Sequence, residues 1–330
     1  MTRYKSVVTI NISAFLLMIG VGMIVALLPQ RIIDLSGSVS SVGYLASAFV
    51  LTFVLFQIPI GNFSDKFGFK PFLVGGYFLC SVTGLLYYFS KSSSLIFWSR
   101  MLQGIGEVPI WALAPALLSI QYPTQKGKFM GLYNSSLHCG LTAGSLLGIL
   151  IYRTWQGNEA FLLFAGMSFL GGLLIALFVK SPKQEPSSKT SKINPRRVIS
   201  LMGNLENRTV LVGIVLYGAG YGIFITIIPA FLISVKNSNQ TTVGIFFALF
   251  YIAISLSQLI AGPFSDQKGR KPAMICGLMM AAIGIASFSA FKLPWLIGLL
   301  TLAAFGLGAF CVSAMAFLNE CVPSSLKGTI

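Results

Sequence analysis

Four polar side chains recur at regular spacing in an otherwise apolar stretch, SRMLQGIGEVPIW. They are Arg100, Gln103, Glu107 and Trp111. Steps of three or four residues place all four on one face of an α-helix, with Arg100 and Glu107 about 10.5 Å apart along the axis. Desolvation of an acid favours its protonated form, so Glu107 is a candidate for binding a proton or a cation.

Other interpretations of these residues stay open. Glu107 could form a permanent structural pair with Arg100 or with a polar neighbour, and Arg100 could instead bind the negative group of an anionic solute. His138 and Asn134, four residues apart in the next apolar run, could face the same cavity and add a titratable group. A histidine packed against a backbone partner fits the same spacing.

The elements that must position these residues are apolar runs of about 20 residues, long enough to span a bilayer. The 330 residues are 55% hydrophobic and 9% charged, with a mean hydropathy of +0.82, which excludes a soluble fold. We therefore predict an all-α integral membrane protein, in which Arg100 must face a cavity or a partner. Ten spans are predicted, at 6–29, 41–61, 71–90, 94–120, 130–152, 160–179, 209–234, 242–262, 272–291 and 294–319.

The 23 Lys and Arg residues lie mostly in the gaps between these runs, although the formal net charge of +15 could suggest nucleic-acid binding. Seventeen fall on the side of the N-terminus, five on the other side, and Arg100 lies within a span. The positive-inside rule then places the N-terminus and the central loop in the cytoplasm. We expect a multi-pass protein of the cell membrane, plasma or inner, and no nucleic-acid partner.

The chain contains an internal repeat of about 200 residues. GVGMIVALLP matches GYGIFITIIP, and GNFSDKFGFKP matches GPFSDQKGRKP. The repeat predicts a six-helix half at 1–180, a basic cytoplasmic linker at 181–208 and a second half at 209–330 containing four helices, related as parallel repeats. Leu302 then stands opposite Arg100, so proton coupling is expected in the first half.

The register of the repeat also bears on the end of the chain. Pro123 and Gly127, after the fourth span, match Pro323 and Gly328, so the counterparts of the fifth and sixth spans would follow Ile330. We expect a complete protein to carry two further helices. A natural variant with ten helices is the alternative.

The two matching loops resemble the G-x-x-x-D-[RK]-x-G-[RK]-[RK] motif of major facilitator superfamily transporters and its second copy. The matched residues are Gly61, Asp65, Lys66, Gly68 and Lys70 in the first loop, and Gly262, Asp266, Gly269, Arg270 and Lys271 in the second. Phe69 replaces one expected basic residue. The resemblance implies twelve helices and alternating access, with both motifs acting as conformational latches. A simple charged turn is the alternative for each.

Arg100, Gln103, Gly104 and Gly106 resemble the R-x-x-Q-G-x-G motif of the proton-coupled drug exporters of this superfamily. This resemblance implies a proton-coupling and substrate cavity that we assign to Glu107, Arg100, Gln103, His138, Asn134 and Trp111. Gly140, Gly144 and Gly148 partly match an antiporter motif, but Ser145 stands where that motif carries proline. The direction of transport stays open, and helix packing also explains these glycines.

The expected function is proton-coupled export of small amphipathic organic compounds by alternating access. The alternative is a symporter or facilitator that takes up a small solute such as a sugar or an organic anion. The chain has one histidine and five cysteines without metal-ligand spacing, so we expect neither a cofactor nor an enzymatic activity. The expected partners are a small-molecule substrate, protons and the lipid bilayer, and a monomer is expected.

Overall fold

In the residues that it describes, the computed structural model of the chain consists of helices joined by short turns and contains no strand. These residues are 2–38, 40–155, 158–179, 205–224, 228, 231–232, 235–237, 240–288, 290–293 and 295–321. Most of the predicted linker, at 181–204, lies outside them. So do Pro323 and Gly328, on which the predicted end of the repeat depends.

Eleven α-helices are present in the described residues. They are α1 (Thr2–Ser36), α2 (Ser40–Phe67), α3 (Phe69–Phe89), α4 (Ser93–Val108), α5 (Ala114–Gln121), α6 (Lys126–Trp155), α7 (Glu159–Phe178), α8 (Leu205–Gly222), α9 (Gln240–Lys268), α10 (Arg270–Ser287) and α11 (Trp295–Cys321). A π-helical turn, Pro109–Leu113, joins α4 to α5, so each of the ten predicted spans overlaps a helical rod. Seven rods contain a described stretch that is long and apolar enough to cross a membrane. The all-α membrane class is thereby confirmed.

The two motif loops are a correction to the sequence prediction, because most of their residues are helical. Helix α2 continues to Phe67 and α9 continues to Lys268, six residues beyond each predicted end. Each helix ends just before a single glycine, Gly68 or Gly269. The φ angles of these glycines are 89° and 91°, a region that favours glycine. Polar composition marks the end of an apolar span, but it does not end a helix.

Two other boundaries also differ from the prediction. Helix α1 continues to Ser36, seven residues past its predicted end, for the same reason. The predicted linker ran to residue 208, whereas α8 already begins at Leu205.

The chain divides into two compact units, and the first contains α1 to α5, α6 from Cys139 onward, and α7. In this unit α7 packs on α1 and α3, and α4 packs on α2 and α3. Two glycines of the partial antiporter motif, Gly140 and Gly144, face α1. A Cβ added to Gly140 would lie 2.7 Å from the backbone oxygen of Phe15, and one added to Gly144 would lie under 3.0 Å from the backbone oxygen of Ile19. Close helix packing therefore accounts for both glycines.

The second unit contains residues 122–138, which include the first part of α6, together with α8 to α11. Here α11 packs on α9 and α10, just as α4 packs on α2 and α3 in the first unit. An added Cβ at Gly76 would lie 2.5 Å from the Gly106 oxygen, and one at Gly277 would lie 2.6 Å from the Gly306 oxygen. Gly306 is therefore the counterpart of Gly106. The sequence prediction, which placed Leu302 opposite Arg100, was wrong by two residues. The residue opposite Arg100 becomes Leu300, which is also apolar.

Candidate functional site

The predicted polar face of α4 forms a connected hydrogen-bond network in the first unit. Gln103 lies at its centre and is fully buried. Its Oε1 accepts hydrogen bonds from Arg100 Nη1 at 2.8 Å and from the Tyr87 hydroxyl at 2.7 Å, and its Nε2 donates to Glu107 Oε1 at 2.8 Å. We call Tyr87, Arg100, Gln103, Glu107 and Trp111 the Glu107 cluster.

Glu107 has two hydrogen-bond donors, and both are uncharged. The second donor is Trp111 Nε1, which lies 3.1 Å from Glu107 Oε2. Only 3% of Glu107 is exposed. Among the described residues, the ion pairs within 4.0 Å all involve Arg270, so Arg100 and Glu107 interact through Gln103 and form no direct pair.

Arg100 is held by contacts that leave part of its guanidinium available. Its Cζ lies 4.6 Å from the centre of the Phe49 ring, a cation–π distance, and Nη1 donates to Gln103. The buried Nε has no hydrogen-bond partner. A planar cation with an unsatisfied donor suits either a solute anion or a change of partner during transport.

Glycines and a widened turn position the cluster. An added Cβ at Gly104 would meet the backbone oxygen of Phe49 at 2.5 Å, so the missing side chain lets α4 approach α2. Thr52 Oγ1 then donates to the Met101 oxygen across this contact at 2.8 Å. Two residues after Glu107, Pro109 lacks a backbone N–H, and its oxygen accepts the N–H of Ala114 to form the π-turn that carries Trp111.

His138 and Asn134 belong to the second unit, whereas the Glu107 cluster belongs to the first. His138 Nδ1 lies 2.8 Å from the Asn134 backbone oxygen, and the Asn134 side chain donates to Met315 Sδ at 3.4 Å. Both side chains are buried. Four of the six predicted cavity residues therefore form one network, and the cavity predicted to contain all six stays a prediction.

The sequence analysis missed two residues of interest. Tyr87, on α3, completes the coordination of Gln103, and its place could not be read from the spacing within α4. Gln258, on α9, is fully buried, and neither its Oε1 nor its Nε2 has a hydrogen-bond partner. An amide inside a predicted span is itself a signal of function.

The second motif builds a cap on helix α6. Asp266 Oδ1 accepts the N–H of Gly127 at 2.9 Å, and Oδ2 accepts the N–H of Lys128 at 2.8 Å. A carboxylate at this position satisfies two free donors and complements the positive end of the helix dipole. We call this arrangement the Asp266 cap.

Arg270 joins the Asp266 cap to α11. Its guanidinium lies 2.6 Å from Asp266 and 2.6 Å from Glu320. Partial burial disfavours the charge of Arg270, but the hydrogen bonds and charges of Glu320 and Asp266 outweigh it and raise its pKa above the ordinary value. Arg270 therefore remains a cation at any physiological pH. Lys271, next to it, is exposed.

The first motif shares one feature of this geometry. Ser64 Oγ donates to the Gly61 oxygen at 2.7 Å, as Ser265 Oγ donates to the Gly262 oxygen at 2.9 Å. Asp65 and Lys70 are half-buried and Lys66 is exposed, with its Nζ 5.1 Å from the Phe67 ring. The latch role of both motifs stays a prediction.

The described helices and their polar clusters define a polytopic α-helical membrane protein. The chain belongs to the major facilitator superfamily, because the model of the family described as Major Facilitator Superfamily matches residues 10–330. An uncharacterized MFS-type transporter of Methanocaldococcus jannaschii is 26% identical over 344 residues, which cover 98% of this chain and 85% of that protein.

Two further proteins resemble the chain. The quinolone resistance protein NorA of Staphylococcus aureus is 23% identical over 257 residues, which cover 75% of this chain and 66% of NorA. The crystal structure of the human organic anion transporter MFSD10 (TETRAN) superimposes with a TM-score of 0.84 at 15% identity, covering 99% of this chain and 88% of that one. The structural likeness shows that both chains have the same fold.

Proposed function

We propose that this chain is a secondary transporter of the cell membrane that exports small amphipathic organic compounds in exchange for protons. Glu107 is the group that binds and releases the proton, and the two repeats alternate in access to either side. NorA, a resistance protein, is a relative of this chain, and the R-x-x-Q-G-x-G residues of α4 resemble those of drug exporters. The charge distribution supports a cytoplasmic N-terminus and central loop.

The observation that carries this proposal is a buried acid without a direct cationic partner. Glu107 is 3% exposed and receives its hydrogen bonds from an amide and an indole. An acid bound permanently to Arg100 would stay ionised throughout the cycle. An acid held only by neutral donors can change its protonation state when water or a cationic substrate reaches it.

Protonation of Glu107 changes the network around it. The carboxylate accepts one hydrogen bond on each oxygen, from Gln103 and from Trp111. A protonated carboxyl has one O–H that must donate to a new partner, and its oxygens accept less strongly than those of a carboxylate, so at least one of these two bonds weakens. Gln103 and Trp111 are therefore positioning residues, and through Gln103 the proton also affects Arg100.

The Asp266 cap is proposed to stabilise one of the two access states. It holds the beginning of α6 against α9 through two backbone hydrogen bonds and the charge of Arg270. Movement of α6 away from α9 breaks these contacts. The cap therefore contributes free energy to only one arrangement, as a latch must.

The test is substrate-driven proton movement in sealed vesicles that contain the protein, with tetraphenylphosphonium as the amphipathic cation. We expect the cation to trigger a pH change with the wild type and none with Glu107→Gln, which cannot exchange a proton. Counterflow of labelled cation, which needs no net proton movement, should continue in Glu107→Gln. Glu159→Gln, at the beginning of α7, is the matched control and should keep the pH change. An unaltered signal in Glu107→Gln would refute the assignment.

Uptake of an organic anion is the second candidate, because Arg100 has a buried Nε without a partner. Human MFSD10, which has the same fold, is an organic anion transporter. Binding of a labelled aromatic carboxylate to the wild type, lost in Arg100→Ala and retained in Glu107→Gln, would favour this candidate. Loss in both variants or in neither would favour proton-coupled export.

A further inference from the structure

The Glu107 cluster is exposed only at its two ends. Gln103 and Glu107 are buried, whereas Arg100 and Trp111 are half-buried. Arg100 and Trp111 are eleven residues apart, roughly 16 Å along the axis at the rise of a helix. A substrate that approaches the buried acid therefore meets either the guanidinium of Arg100 or the indole of Trp111.

The two ends differ in charge. The Arg100 guanidinium is a permanent cation. The acid lies at the other end, because Trp111 Nε1 donates to Glu107 Oε2 at 3.1 Å. Charges act on each other more strongly where water is excluded. A positively charged group is therefore repelled from the Arg100 end and, when Glu107 is ionised, attracted to the Trp111 end.

The indole of Trp111 has an aromatic face that the chain does not use. Its contact with Glu107 is made by the N–H at the edge of the ring. The Phe49 ring is used differently, since the Arg100 Cζ lies 4.6 Å from its centre. Among the described residues, no aromatic ring stacks on Trp111 and no Lys or Arg lies over it. An indole face of this kind attracts a cation.

The indole is also held in place before a ligand arrives. Trp111 lies in the π-helical turn Pro109–Leu113, a widened turn of the kind that is frequent at functional sites. Its hydrogen bond to Glu107 fixes the direction of the ring. A ligand that binds to the face therefore does not bear the entropic cost of ordering this side chain.

We infer that the face of Trp111 binds the positively charged group of the substrate, an ammonium or phosphonium with its charge spread over alkyl groups, by a cation–π interaction. Among aromatic side chains, indole attracts cations most strongly. The inference rests on the proposed export of amphipathic compounds and extends it to the charge and the orientation of the substrate. A cation on Trp111 lies beside Glu107, so it favours the ionised acid and thereby the release of the proton.

The experiment compares two probes that have the same shape and different charge. In 3-hydroxyphenyltrimethylammonium, a positively charged nitrogen replaces the central carbon of the tert-butyl group of 3-tert-butylphenol. Binding of each probe to the full chain in lipid nanodiscs is measured by calorimetry. The ratio of the two affinities is compared between proteins, because membrane partitioning then cancels. We expect Trp111→Leu to shift this ratio toward the neutral probe by roughly 2- to 30-fold, the range of a cation–π interaction. An unchanged ratio would overturn the inference.

Trp111→Phe separates the aromatic face from the N–H. Phenylalanine cannot donate to Glu107 but keeps an aromatic face, so this variant should retain most of the preference for the ammonium. A shift as large as that of Trp111→Leu would mean that the hydrogen bond to Glu107 sets the preference, and it would overturn the inference.

Trp98→Leu is the matched control. Trp98 lies on α4, is exposed, and contacts Phe97 with ring centres 5.9 Å apart. Its replacement removes an indole from the same helical rod without touching the Glu107 cluster, so the wild-type ratio should persist. Equal shifts in Trp98→Leu and Trp111→Leu would overturn the inference.

Fluorinated tryptophans at position 111 provide a second test if Trp111→Leu folds poorly. Each fluorine withdraws electrons from the ring and weakens its attraction for a cation, while the N–H and nearly the whole shape are retained. The affinity for the ammonium should fall stepwise with the number of fluorine atoms, and the affinity for 3-tert-butylphenol should stay level. An ammonium affinity that stays level across the series would contradict the cation–π contact.

Failure of the proposed proton exchange gives a different result. Binding in nanodiscs needs no proton movement. A preference for the ammonium that is reduced in Trp111→Leu and kept in Trp111→Phe therefore supports the site even where the vesicles show no substrate-driven pH change. A wild type that does not bind the ammonium would overturn the inference, whatever the vesicles show.

Discussion

Arg100 and Glu107 share one face of α4 but bond to opposite ends of the same amide and not to each other. Gln103 Oε1 accepts from Arg100, and Gln103 Nε2 donates to Glu107. The acid is thus kept one residue away from the nearest cation of its own helix. This separation makes a reversible protonation of Glu107 chemically reasonable, and it makes Gln103 the connection between the two charges.

Tyr87→Phe tests whether the network depends on α3. The Tyr87 hydroxyl is buried and donates to Gln103 Oε1 at 2.7 Å. Its removal should lower the stability of the folded protein by about 0.5–1.5 kcal/mol, the net value of a typical hydrogen bond. The measurement is the thermal unfolding midpoint in detergent. Tyr88→Phe, at the next position, is the matched control and should leave the midpoint unchanged; equal midpoints for the two variants would contradict the role of Tyr87.

Asp266→Asn tests the cap on α6. An amide offers only one acceptor oxygen, so the N–H of either Gly127 or Lys128 loses its partner, and the charge at the end of the helix is lost as well. A cap of this kind contributes about 0.5–2 kcal/mol, so amide exchange in residues 122–135 should become roughly 2- to 30-fold faster. Hydrogen–deuterium exchange with mass spectrometry measures this directly.

Asp65→Asn provides the control for this measurement, because Asp65 occupies the matching position of the first motif. It removes the same charge without touching the hydrogen bonds of Gly127. Exchange in residues 122–135 should then stay at the wild-type rate. Equal acceleration by both variants would mean that the effect comes from global destabilisation and not from the cap.

Much of the Glu107 cluster could be predicted from the sequence because its spacing follows the helical period. Steps of three and four residues placed Gln103, Glu107 and Trp111 in contact, and the hydrogen bonds between them are present. Tyr87 could not be predicted, because a contact between two helices depends on how they pack. The π-turn could not be predicted from the spacing of the residues either. Its local cause is Pro109, which lacks a backbone N–H.

The motif loops were predicted less well than the helices. A change from apolar to polar residues indicated where a span leaves the membrane, but α2 and α9 continue as helices to Phe67 and Lys268. The turn that follows each of these helices lies at a glycine, Gly68 or Gly269, and both have positive φ. The bond from Asp266 to Gly127 joins residues 139 positions apart, which composition alone cannot reveal.

Arg270→Gln tests the charge that connects Asp266 to Glu320. Its removal leaves two acids without their cation, and the expected loss is about 1.5–3 kcal/mol, the range for hydrogen bonds to charged groups. Arg270→Lys should recover only part of this stability, because an ammonium cannot contact both carboxylates with the same planar geometry. Thermal unfolding of the purified protein is the measurement. Lys268→Gln, at an exposed position two residues earlier, should have little effect; full recovery by Arg270→Lys would contradict the role of the planar guanidinium.

The pH dependence of this interaction follows from the direction of the pKa shift. The folded protein raises the pKa of Arg270 above its ordinary value, so the stabilisation is complete below the unfolded value and is lost only as the pH rises through the folded one. An arginine in the unfolded chain titrates above about 12. The stability difference between wild type and Arg270→Gln should therefore not fall between neutral and mildly alkaline pH. A fall in that range would mean that Arg270 loses its proton earlier than this geometry allows.

Gly144→Ala tests the close approach of α6 and α1 in the first unit. An added Cβ would meet the Ile19 carbonyl oxygen at under 3.0 Å, so the two backbones must separate. Overpacking of this kind costs about 1–3 kcal/mol, which should outweigh the gain of up to about 1 kcal/mol from the higher helix propensity of alanine. Gly166→Ala, on α7, is the matched control, because no atom lies within 4 Å of its added Cβ. The unfolding midpoint should fall for Gly144→Ala and stay level or rise for Gly166→Ala; a rise in both would mean that α6 and α1 do not need the glycine.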